Sequence, residues 1–126
     1  MKLKTEWFIR FQQEARTHLG EIDEALKKLD WKREGQARSA EEKEAEASQI
    51  KPLFVKAHNI KGTAAMLGLE ELAAKAMELE TLWWEAVENP DCLNESLRAK
   101  AEADLIELNR MVEAIQPSEV NSTNPI

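Results

Sequence analysis

The stretch from Ala57 to Gly68 reads Ala57-His58-Asn59-Ile60-Lys61-Gly62-Thr63-Ala64-Ala65-Met66-Leu67-Gly68, with a lysine three residues and a glycine four residues after a histidine. On a helix of about 3.6 residues per turn, Leu53, Ala57, Ile60, Ala64 and Leu67 recur as a core stripe. His58 then faces the other way, with Lys61, Gly62 and Ala65 beside it one and two turns along. An imidazole on the wet side of an anchored helix is available as a nucleophile. Gly62 is costly at that place, because a glycine inside a helix loses about 1 kcal/mol relative to alanine. Two readings of it stand side by side. Its missing side chain clears space for a second body to approach the imidazole, or it lets a neighbouring helix pack closely.

Glu80 is the next residue with chemical potential. It shares a helical face with Ala73, Ala76, Trp83 and Trp84, where a carboxylate is costly without a partner. The glycine at 68 predicts a tight turn, so the helices on either side must run antiparallel. His58 lies ten residues before that glycine and Glu80 twelve after it, which puts the two at nearly the same height. A carboxylate accepting from Nδ1–H fixes the tautomer, leaves Nε2 bare and stabilises positive charge on the ring. The plainer alternative is a surface glutamate on a frayed register. Lys61 has a plain reading too, as one solubilising lysine among many. His18, beside Leu19 and without a lysine or glycine pattern, reads as an ordinary boundary histidine.

His58-x-Ile60-Lys61-Gly62-Thr63-Ala64-x-x-Leu67-Gly68 resembles the signature of histidine phosphotransfer (HPt) domains, and the likeness extends from about Trp7 to Ile115. The variant, with Lys56-Ala57 upstream and Leu69 after the last glycine, is most similar to the N-terminal phosphotransfer domains of chemotaxis-type histidine kinases. The resemblance implies that His58 is the phosphoryl acceptor and that Glu80 orients its imidazole. It further implies that Lys61 neutralises phosphoryl charge and Gly62 gives steric access. The family often carries a histidine three residues before the glutamate. Met77 stands there in this chain, which puts ring orientation and basicity in question but leaves the nucleophile.

Composition narrows the alternatives. The 126 residues hold 17 basic and 24 acidic side chains, a net charge of −7, which argues against a nucleic-acid partner. Charged residues make up 33 %, while Gly and Pro number four each, an all-helical balance in a chain long enough for one core. Cys92 is alone, so no disulfide framework or thiolate metal set is expected. No apolar run suits a membrane span and no signal-peptide pattern precedes Trp7; the expected location is the cytoplasm. Lys61-Gly62-Thr63 lacks the upstream glycine of a nucleotide-binding loop. Two histidines support neither a Ser-His-Asp set nor a di-iron bundle.

The elements that must position these residues follow from periodicity. Helices are expected over residues 6–29, 50–67, 70–88 and 94–116, with Thr5 capping the first and Gly68 the second. Residues 30–48 read as a polar connection, looped through Gly35. A short polar helix from about Glu41 precedes the histidine helix, and Ser39 with Glu42 forms a capping-box pattern. Pro52 sets the firm start of the second helix near Ile50, or kinks it. Phe54, Val55, Ala65 and Met66 flank His58 off the main stripe, either as an apolar docking patch or packed on the first or third helix. The fold class is therefore all-α: an antiparallel up-and-down four-helix bundle over residues 1–116, with 117–126 a polar tail or linker.

The expected function is a monomeric phosphocarrier in two-component signalling. His58 would accept a phosphoryl group from a histidine kinase catalytic domain or a hybrid-kinase receiver and pass it to a response-regulator receiver aspartate. The chain supplies no nucleotide site and no cofactor; the divalent metal is expected on the partner receiver. It is thus a phosphotransfer intermediate and not a complete kinase. The rival is a helical scaffold module in which His58 is incidental.

Overall fold

A computed structural model describes residues 5–29, 31 and 38–116. Four α-helices follow in order: α1 (Thr5–Lys28), α2 (Ala40–Met66), α3 (Glu70–Glu88) and α4 (Glu95–Glu113), with one 3₁₀ turn, Pro90–Cys92, before the last. Each helix packs on its neighbours in sequence and α1 closes the ring against α4, the most extensive contact being α2 on α3. This is the expected all-α four-helix bundle, and no strand occurs among the described residues.

Its core is the sum of the apolar stripes. Phe8, Phe11, Ala15, Leu19, Ile22 and Leu26 line the inside of α1, and Leu53, Ala57, Ile60 and Ala64 that of α2. Leu72, Ala76, Leu79 and Trp83 face them from α3, and Ala101, Leu105, Leu108 and Val112 from α4. At about 25 cal/mol per Å² of apolar surface, burial of these stripes is what holds the helices in register.

The helix ends depart from the sequence expectation where tertiary partners intervene. Thr5 is a helical residue and not the cap of α1. At the other end of α1 the Trp31 indole Nε1 donates to the Leu26 carbonyl at 2.9 Å and ties Trp31 back onto the last turn. α4 starts after Asn94, whose Oδ1 accepts from Leu97 N at 3.0 Å, and stops at Glu113, short of residue 116. Gln12 Nε2 donates to the Val112 and Ile115 carbonyls at 2.9 and 3.3 Å, and Arg16 forms a two-pronged pair with Glu113 at 2.6 and 2.8 Å. The middle turns of α1 are thereby pinned to the end of α4.

α2 is the larger correction. It begins at Ala40 and runs unbroken through Pro52, so the polar segment is its first turns and not a separate helix. The capping box initiates it: Glu42 N donates to Ser39 Oγ at 3.1 Å and Ser39 N to Glu42 Oε1 at 2.9 Å. Both Pro52 and Ser48 are outside the buried core, so the Ser48 carbonyl that loses its helical donor can turn to water. Arg38, buried, donates from Nη1 to the Pro90 carbonyl at 2.8 Å and from its backbone to Asp91 Oδ1 at 3.1 Å. Lys43 adds an ion pair to Asp91 at 3.2 Å, and these contacts hold the Asp91 carboxyl below its ordinary range. The loop expected through Gly35 and the tail from Pro117 lie outside the described residues.

Between α2 and α3 the turn is as short as the sequence requires. Gly68 has φ +77°, Leu69 N donates to the Ala64 carbonyl at 2.9 Å and Gly68 N to that of Ala65 at 3.1 Å. That pair of bonds is a Schellman ending, which needs a left-handed residue where Gly68 stands. It sends α3 directly back along α2.

Candidate functional site

Because α3 returns antiparallel from Gly68, Glu80 arrives opposite His58. Its Oε2 lies 2.6 Å from His58 Nδ1, and its Oε1 accepts from Lys61 Nζ at 2.9 Å. The carboxylate side chain is 12 % exposed, the imidazole 56 %. Burial alone would push the Glu80 carboxyl up. Hydrogen bonds from Lys61 and His58, with the charges behind them, outweigh burial and hold it below the usual glutamate value. An ionised carboxylate only accepts, so Nδ1 must carry the proton. In the neutral ring Nε2 then keeps its lone pair, on an imidazole that is more than half open to solvent.

Each residue singled out in the sequence now has a place. His58 and Glu80 meet as the counting of turns requires. Lys61 is brought in differently: its ammonium sits on Glu80, so its charge supports the carboxylate behind the imidazole. Gly62 is exposed, and a Cβ built on it would meet nothing within 4 Å. The close helix-packing reading of this glycine is overturned, and the helix is open beside His58. Met77 is exposed on α3, one turn before Glu80. His18 is not brought to the site; it lines a groove between α1 and α2 with Glu14, Asn59 and Thr63.

The apolar neighbours separate into two kinds. Val55, Met66, Met77 and Trp84 are exposed on the two helices that carry His58 and Glu80. Phe54 instead packs partly inside: its ring is stacked on His58 with centroids 6.0 Å apart and 22° between planes, and it meets Trp84 at 5.2 Å. Of the two roles the sequence allows Phe54, docking patch or packing, the structure gives it the second, against α3. Its spacing of four residues before His58 is the signal that could have found the stack. A hollow of about 270 Å³ lies alongside, lined by Phe54, Glu80, Thr81 and Trp84.

Among the described residues, no group of three or more His, Cys, Asp or Glu side chains is placed to hold a metal ion, and no helix is long and apolar enough to cross a membrane. Comparison with protein families gives one that matches nearly the whole bundle: the family described as Hpt domain covers residues 6–117. Neither the curated proteins nor the solved structures give a match.

Proposed function

The chain belongs to the Hpt-domain family, whose members carry phosphoryl groups on histidine in phosphorelays with kinases and receiver domains, and from that premise we propose that His58 is its phosphoryl acceptor. The observation that carries the assignment is the 2.6 Å contact of Glu80 with Nδ1, which leaves Nε2 as the free nucleophile. The Nε2 lone pair attacks phosphorus, the bond from phosphorus to the donor oxygen breaks, and the leaving oxygen takes that electron pair. The ring becomes cationic, and the Glu80 carboxylate behind it offsets the charge while Nδ1 keeps its proton. In the forward transfer a receiver aspartate attacks phosphorus and the N–P electron pair returns to Nε2. Phosphoryl transfer asks the protein mainly for position and charge, and this chain supplies position.

In this reading Lys61 acts on the phosphoryl group only indirectly, through Glu80. Open space at Gly62 admits the receiver's active site, and the exposed apolar side chains of α2 and α3 make the surface it meets. The pairing of His58 with Glu80 across two helices favours the chemotaxis-type variety of the family, with Met77 as the departure.

Intact-mass spectrometry after treatment with phosphoramidate tests the assignment on wild type and His58→Gln, His18 serving as the internal control. One acid-labile phosphoryl adduct on wild type, absent from the variant, is expected. Equal labelling of both proteins, or none of either, would return the bundle to a scaffold role.

A further inference from the structure

We infer that Phe54 is a positioning residue for the phosphoryl-accepting imidazole, acting as an aromatic wall that keeps the ring turned toward Glu80. The inference deepens the reading of His58 as phosphoryl acceptor and rests on it. Helical side chains lean toward the N-terminus, so the His58 ring is laid back onto the turn that holds Phe54. The two rings are stacked with centroids 6.0 Å apart and 22° between planes. Phe54 also meets the Trp84 ring, tilted by 49° at 5.2 Å. A wall built across two helices is thereby fixed to the same element, α3, that supplies Glu80.

The need for it follows from exposure. With 56 % of the His58 side chain in solvent, the hydrogen bond at Nδ1 is the polar restraint that the described residues place on the ring, and water competes for it. Rotation away from Glu80 frees the ring to take either neutral tautomer, and the one with hydrogen on Nε2 has no lone pair there. Phe54 stacks beside the ring, so rotation forfeits the stack together with the hydrogen bond. Glu80 chooses which nitrogen holds the proton; Phe54 keeps the ring where that choice applies.

The test compares Phe54→Leu, which keeps apolar bulk but has no flat face, with Phe54→Tyr, which restores the ring. Two readouts are taken on each: the His58 tautomer by long-range proton–nitrogen NMR with ¹⁵N-histidine, and the initial rate of phosphoramidate labelling. A stack of ordinary strength corresponds to roughly a 3- to 10-fold change in population. Phe54→Leu is expected to mix the tautomers and slow labelling by about that factor, with thermal unfolding still cooperative, and Phe54→Tyr to recover both. A wild-type tautomer in folded Phe54→Leu overturns the inference, whatever the labelling rate. So does failure of Phe54→Tyr to recover it. Labelling of wild type decides the acceptor assignment separately, since the tautomer is read without any phosphoryl donor.

Discussion

Replacing Glu80 by glutamine should damage the site more than replacing it by alanine, although glutamine is nearly isosteric. Lys61 Nζ can only donate, and it sits 2.9 Å from Oε1. The glutamine carbonyl must therefore face Lys61, which points the amide NH₂ at His58 Nδ1. Nδ1 then has to accept, the proton moves to Nε2, and the nucleophilic lone pair is on the wrong nitrogen. Hydrogen bonds to charged groups contribute about 1.5–3 kcal/mol. With the imidazole 56 % exposed, a solvent-discounted preference of about 1–2 kcal/mol between tautomers is reasonable. That corresponds to roughly a 5- to 30-fold smaller competent population in Glu80→Gln. Glu80→Ala loses the same negative charge but leaves the ring free to take either tautomer, so its loss through this route is the smaller. Phosphoramidate labelling rates of the two variants, with ¹⁵N-histidine NMR to identify the protonated nitrogen, isolate the tautomer from the charge. Faster labelling of Glu80→Gln than of Glu80→Ala, both folded, would refute the reasoning.

Glu80 also predicts a pH dependence. Its carboxyl titrates lower in the folded chain than its ordinary value of 4.5, so its stabilising contribution is complete above that value and is lost as pH falls through the lower folded one. The stability deficit of Glu80→Gln against wild type in urea melts should accordingly shrink from about pH 6 to about pH 3; a constant deficit would contradict the linkage. Asp104 has the opposite sign. Burial foremost, with Glu78 adding and Lys75 opposing, pushes its carboxyl up, and its Oδ2 has no hydrogen-bond partner among the described residues. The penalty of ionising it grows as pH rises through the raised value, so Asp104→Asn should gain stability on wild type at pH 7 and not near pH 3, read by the same melts. Gly62→Ala should stabilise α2 by about 1 kcal/mol in thermal unfolding, because its Cβ enters open space. Gly62→Gln should slow transfer to a receiver more than labelling by phosphoramidate, and equal effects on the two would remove the access role.

The helical stripes and the height match of His58 with Glu80 are legible in the sequence for the same reason: both depend on local periodicity and on one glycine at φ +77°. Where a feature depends on what a distant element offers, the sequence is silent or misleading. Pro52 suggests a boundary near Ile50, but its cost turns on whether the Ser48 carbonyl faces water, which burial decides and spacing does not. The burial of Arg38 and Asp104 comes from the α3–α4 connection and from the α3 surface, neither of which shows in the residues beside them. Lys61 is the instructive case. A lysine one turn from the histidine on its exposed side suggests an ammonium aimed at the incoming phosphoryl group, yet a long flexible cation finds the nearest buried anion first. Glu80, 12 % exposed, is that anion, and without Lys61 its desolvation would be opposed by the imidazole alone. In the proposed reading Lys61 therefore acts through the carboxylate held at Nδ1, and not on the nitrogen assigned to attack phosphorus. It helps keep ionised the carboxylate at Nδ1, and on that proposal it bears on transfer through the ground state of the ring.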